Sequence, residues 1–198
     1  MDNSSTASAP SLDLDKYAGV QARILPYVRG CYPRDMLYRL WSVIEAEQAS
    51  EKLFFNGFPR GTPVSCHGDL IHFMQVCSEP GRVTLLIESL ADQELAGAFW
   101  FEDFIPDFRC LASIFIRRKY WGPLSAEAAR LSLQYAFDHF NVQAIWALTP
   151  WATADSLSAR CGLQVVACLP SYVLDADGDP RDVSIWKVTK EGFDALAD

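Results

Sequence analysis

Arg117, Arg118 and Lys119 are three consecutive cations that lead through Tyr120, Trp121, Gly122 and Pro123 into Leu124 and Ser125. Residues of these types in this order suit the binding of an anion. The chain turns at Gly and Pro and then starts a helix, whose first N–H groups lack internal acceptors and whose dipole favours negative charge. Other candidate clusters carry less. Cys66, His67, His72 and Cys77 match no standard zinc spacing, and His72 and Cys77 fall on different faces of a helix. Asp175, Asp177 and Asp179 look like half of a calcium loop, but Pro180 interrupts it and the downstream Glu is absent, so a hairpin turn is expected. No nucleophile elbow, P-loop or dinucleotide fingerprint occurs.

The elements that must position the basic stretch are legible on both sides of it. Phe108 to Ile116 is short and rich in β-branched and aromatic residues, which predicts a strand. The helix after Pro123 carries Ala129, Leu133, Ala136, Phe137 and Phe140 on one stripe, and Val142 to Leu148 reads as a strand parallel to Phe108–Ile116 through a right-handed crossover. Upstream, Arg82–Leu90 and Ala96–Phe104 form an expected antiparallel hairpin across Ala91–Leu95. Helices are expected over Pro33–Ser50 and Asp69–Cys77, a loop over Asn56–Pro63, and a first or edge strand around Ala22–Leu25. A short helix over Ala152–Cys161, ending at Gly162, precedes strands Leu163–Leu169 and Asp182–Thr189. The order β, α, α, β, β, β, α, β, α, β, β does not alternate as a dinucleotide-binding fold does.

The chain has 198 residues, half of them hydrophobic, which suits one domain over residues 16–198 behind a flexible tail over residues 1–15. Lys and Arg total 17 against 25 Asp and Glu, for a formal charge of -8. That charge disfavours nucleic acid and anionic membranes as partners. No apolar run spans a bilayer and Met1–Pro10 has no signal-peptide pattern, so a cytoplasmic protein is expected. The cysteines, Cys31, Cys66, Cys77, Cys110, Cys161 and Cys168, have no CxxC spacing and read as reduced, mostly buried thiols.

Several local sequences, taken with this element order, resemble the GNAT superfamily of N-acetyltransferases, above all the branch that acetylates ribosomal-protein N-termini and small amines. The matching residues are Leu111–Ile116, Trp121-Gly122, Ala126-Glu127-Ala128, Leu133–Phe137, Gln143–Ala147, Ser156, Cys161-Gly162-Leu163, Asp177-Gly178, Asp182 and Trp186–Thr189. The resemblance covers roughly residues 82–193 and more weakly the helical part from Pro33. It implies an α/β fold of the α+β type, with a mixed, mostly antiparallel central sheet flanked by helices and one parallel, splayed strand pair.

The resemblance further implies an acyl-CoA-dependent N-acetyltransferase that moves an acetyl group directly from acetyl-CoA, as cosubstrate and without a metal, to a primary amine on a protein N-terminus, a lysine or a small molecule. A homodimer is allowed for. Backbone near Ser113, Ile114, Phe115 and Ile116 would pair with the pantetheine arm. Arg117, Arg118, Lys119, Trp121, Gly122, Leu124 and Ser125 would surround the CoA phosphates. Glu102, with Asp103 and Glu88 beside it, is a candidate base; Ser113 is a candidate to line the acyl site, and Ser156 matches the family's Ser. The sequence departs from the pattern in two places. The loop Lys119–Leu124 keeps only its first Gly, with Pro123 and Leu124 where N–H donors and small residues are usual, and the family's Asn and Tyr are absent at Trp151 or Thr153 and around Ala159–Cys161. The alternative is a GNAT-shaped binding or assembly module with impaired catalysis.

Overall fold

The computed structural model describes residues 14–27, 34–47, 49, 73–75, 77, 80–175 and 178–196. The expected tail up to residue 13, the expected loop, most of the second helix, Cys31, Cys66, His67 and His72 lie outside these residues. The chain order is β1 (Ala22–Pro26), α1 (Arg34–Ala46), β2 (Val83–Ser89), β3 (Leu95–Ile105), β4 (Arg109–Ile116), α2 (Pro123–His139), β5 (Ala144–Thr149), α3 (Ala152–Arg160), β6 (Gln164–Leu174), β7 (Pro180–Thr189) and α4 (Lys190–Asp194). The strands form one seven-stranded sheet in the order β1-β2-β3-β4-β5-β7-β6. Every neighbouring pair is antiparallel except β4 and β5. This is the fold that the resemblance implies.

Side-chain alternation along β3 and β4 divides two cores. Phe99, Phe101, Cys110 and Ala112 face α2 and pack with Ala128, Leu133, Ala136 and Phe137. On the other face Ala98, Trp100 and Phe115 pack with Leu37, Leu40, Trp41 and Ile44 of α1, and with Phe73. The i, i+3, i+4, i+7 spacing of those α1 residues is what gives that helix one apolar stripe. Gly97 lets β3 approach β4, because a Cβ there would lie 2.1 Å from the Phe115 carbonyl oxygen.

The β4–β5 pair decides where a site can form. Its parallel register holds only for Arg109 with Ala144, Cys110 with Ile145 and Leu111 with Trp146. Beyond Leu111, β4 stays paired to β3 as far as Ile116, while β5 follows β7 to Thr149. The two strands therefore part, and the sheet opens on the C-terminal half of β4.

The structure differs from the sequence reading at two places on the far edge. Strands β6 and β7 run on to Leu174 and Pro180, beyond the expected ends, because β6 is an edge strand that tolerates Pro170. The register shifts between Leu169 and Val173, where the Ser171 N–H donates to Asp182 Oδ1 at 2.8 Å. The expected turn at Asp175 joins them, its carboxylate accepting from the Asp179 N–H and from Arg181. Helix α4 was not anticipated; Thr189 caps it by accepting the Gly192 N–H, and Phe193 packs on Phe137. Among the described residues no helix is long and apolar enough to cross a membrane.

Candidate active site

The hydrogen-bond phase of β4 fixes which of its groups face the opening. The Arg117 N–H donates to the Ala96 carbonyl, and antiparallel pairing alternates, so the main-chain groups of Ser113 and Phe115 also turn to β3. Those of Ala112, Ile114 and Ile116 turn the other way, toward the gap beside β5. The expectation of open backbone from Ser113 to Ile116 thus narrows to alternate residues. The Ser113 side chain shares its face with Phe115 and is exposed opposite Trp100.

A cavity of about 270 Å³ fills the mouth of this gap, with Ile114, Phe115 and Ile116 on one wall and Thr153, Ser156, Leu157 and Arg160 of α3 on the other. Glu47, Arg118, Trp121, Ser125 and Trp151 complete it. A second cavity of about 110 Å³ continues inward and shares Ile114, Trp151, Ala154 and Leu157 with the first. Helix α2 aims its N-terminus at the mouth. Pro123 occupies its first position, and Ser125 Oγ both accepts the Gly122 N–H at 3.1 Å and donates to the Gly122 carbonyl at 2.9 Å.

The cations of the basic stretch are divided between two sides. Arg118 lines the cavity, and its side chain forms no ion pair among the described residues. Arg117 and Lys119 turn to the β2–β3 hairpin instead, where Arg117 Nη1 is 2.8 Å and Lys119 Nζ 2.7 Å from Glu94 Oε2. Lys119 also reaches Asp92, which accepts from Tyr120 Oη at 2.6 Å. The Tyr120 hydroxyl holds the Asp92 carboxyl well below its usual range, and Lys119 and Arg117 lower that of Glu94. A clamp to the hairpin is what those two cations provide. Leu124 is buried beneath the helix start and takes part in a separate hollow with Val20 and Lys119.

Two contacts already engage main-chain groups at the mouth. Trp121 Nε1 donates to the Ile116 carbonyl at 2.8 Å, and the Arg118 N–H donates to Glu47 Oε2 at 2.8 Å. Each candidate base is held in an ion pair: Glu102 with Arg82 at 2.7 Å, Asp103 with Arg109 at 2.9 Å, and Glu88 with Arg23. Glu102 shares the α1 face of the sheet with Trp100 and Ser113, so these three residues adjoin one another. Ser156 lies on the opposite wall of the gap, on α3.

Sequence reasoning missed Glu47, Leu157 and Arg160. Thr153, Ser156, Leu157 and Arg160 follow i, i+3, i+4, i+7, a spacing that marks one helix face and signals this wall. Nothing local ties Glu47 to Arg118, 71 residues away. Burial pushes the Cys161 thiol, at the inner cavity, up to about 11. Among the described residues no three His, Cys, Asp or Glu gather as metal ligands.

No protein-family model matches the chain, and no curated protein matches it by sequence. Its fold does have solved counterparts. A GCN5-related N-acetyltransferase from Brucella melitensis superimposes with a TM-score of 0.69 at 18% identity, over 90% of this chain and 80% of that one. The spermidine N-acetyltransferase of Vibrio cholerae, solved with CoA and spermine, gives 0.67 at 14% identity over 86% and 97%. RimL, a ribosomal L7/L12 alpha-N-protein acetyltransferase, gives 0.66 at 11% over 86% and 91%. The chain has the fold of the GNAT acetyltransferases.

Proposed function

We propose that this protein is an acyl-CoA-dependent N-acyltransferase that passes an acetyl group directly to a primary amine. The observation that carries the reading is the parting of β4 from β5 after Leu111, which leaves the Ile114 main-chain groups open over a cavity bordered by Arg118 and Arg160, neither of which forms an ion pair among the described residues. An extended arm bearing two amides fits the open edge of β4, and its phosphates fit the two guanidinium groups and the start of α2. Pro123 brings no N–H to that end, so the side chains carry more of the phosphate binding than a glycine-rich loop would require.

Acyl-CoA supplies a thioester carbonyl activated toward nucleophiles. The Ile114 N–H orients that carbonyl in this reading. The amine nitrogen forms the new C–N bond as the C–S bond breaks. One amine proton leaves on the α1 side, where Glu102 accepts it through water, and the departing thiolate takes a proton from the side of Ser156. An amine acceptor is supported by the named activities of the spermidine and ribosomal-protein enzymes that share the fold, and the net charge of -8 favours encounter with cations.

Titration calorimetry with acetyl-CoA tests this directly. Micromolar binding is expected, and no heat at millimolar ligand overturns the reading. A second reading, a module that binds without transferring, is favoured by Trp121 on the Ile116 carbonyl and Glu47 on the Arg118 N–H. Thiol release in the presence of spermidine, lysine and a peptide with a free N-terminus separates the two: binding without release on any of these favours the module.

A further inference from the structure

We propose that the inner cavity is an acyl-chain pocket, and that the protein prefers CoA thioesters of about four carbons to acetyl-CoA. This deepens the acyltransfer reading and rests on it. Among the described residues, the charged groups lining the gap, Glu47, Arg118 and Arg160, all border the outer cavity, and none borders the inner one. A ligand with phosphates at one end and an acyl group at the other is therefore held in a single direction, phosphates at the mouth and acyl chain inward.

The inner space exists because small residues from three elements face it: Ala112 of β4, Ala129 of α2 and Ala147 of β5. Phe99, Leu133 and Leu163 close it with apolar surface. Two of its polar side chains are engaged, since Thr149 Oγ1 accepts the Trp151 N–H at 3.0 Å and Cys161 Sγ lies 3.8 Å from the Ala126 carbonyl, while Ser113, Ser158 and the Ile114 main chain add polar groups to a lining that is otherwise apolar. The balance of that lining suits an apolar chain. A dry apolar cavity of about 150 Å³ takes benzene, so one of about 110 Å³ takes a chain of about four carbons. A two-carbon acetyl group leaves part of the space empty.

Calorimetry with free CoA, acetyl-CoA, butyryl-CoA and octanoyl-CoA tests the proposal on the full chain. Each added methylene is expected to tighten binding about fourfold, so butyryl-CoA, with two more, should bind roughly fifteenfold tighter than acetyl-CoA. Octanoyl-CoA should fall back as its chain outgrows the space. Ala129→Leu fills the pocket from α2 and should abolish the butyryl advantage while leaving free CoA binding unchanged. Leu133→Ala enlarges the pocket and should move the optimum to longer chains, which keeps the test decisive if Ala129→Leu does not fold. Equal or falling affinity from acetyl to butyryl overturns the pocket and leaves the acyl-CoA reading standing. Failure of free CoA and of every thioester to bind overturns both.

Discussion

Glu47 holds a negative charge where the proposed ligand brings more of it. Its carboxylate accepts the Arg118 N–H at 2.8 Å at the mouth of the cavity, so phosphate entry has to work against it. Glu47→Gln removes the charge and keeps an acceptor; acetyl-CoA affinity should rise roughly fivefold at low salt, with the gain shrinking as salt is added. Arg118→Glu does the reverse. It should weaken binding by about tenfold or more in calorimetry, since it removes a cation at the mouth of the cavity and adds a repulsion. Thiols sort by burial in the same way. Cys77, Cys110 and Cys161 are buried, with burial pushing their thiols up to about 11, about 12 and about 11, whereas Cys168 is exposed on β6. Among these four, peptide mapping after alkylation at pH 8 should find Cys168 modified first.

The β4–α2 connection is set by one turn and one clamp. Gly122 precedes α2 at φ 114°, a conformation that costs a side chain strain even though the space beside it is open. Gly122→Ala should lower unfolding stability by about 1 to 3 kcal/mol, measured by urea denaturation. The clamp joins Asp92 and Glu94 of the β2–β3 turn to Arg117, Lys119 and Tyr120. Both carboxyls titrate below their ordinary values of 3.8 and 4.5, so their stabilisation is present above those values and is lost as pH falls below them. Thermal melting between pH 6 and 3 should show this loss, and the double variant Asp92→Asn, Glu94→Gln should flatten that part of the profile. The residue pattern assigned Arg117 and Lys119 to an anion site, and the resemblance implied that the anion is a CoA phosphate. Their actual partners come from a hairpin more than twenty residues earlier, a pairing that local pattern does not carry.

The sheet as a whole ends in a strand with little cover. β6 runs from Gln164 to Leu174 without a charged residue, and Val165, Val166 and Tyr172 are exposed. An uncharged edge is a template for pairing with other chains, so Val166→Lys should raise the concentration at which the protein stays monodisperse in light scattering, with little change in melting temperature. The chain by itself determined the order of elements from β2 to β7, the crossover that makes β4 and β5 parallel, and the helix that starts after Gly122 and Pro123. Those features follow from short-range periodicity and turn chemistry, which each segment carries within itself. Only the tertiary structure decided that Ile114 rather than Ser113 opens its backbone to the gap, that Arg118 alone of the three consecutive cations faces it, and that Glu47, Trp151 and Arg160 close around it. The physical reason is that strand phase, ion-pair partners and cavity walls depend on which distant segments pack together, and a sequence pattern with a reach of a few residues holds no record of that.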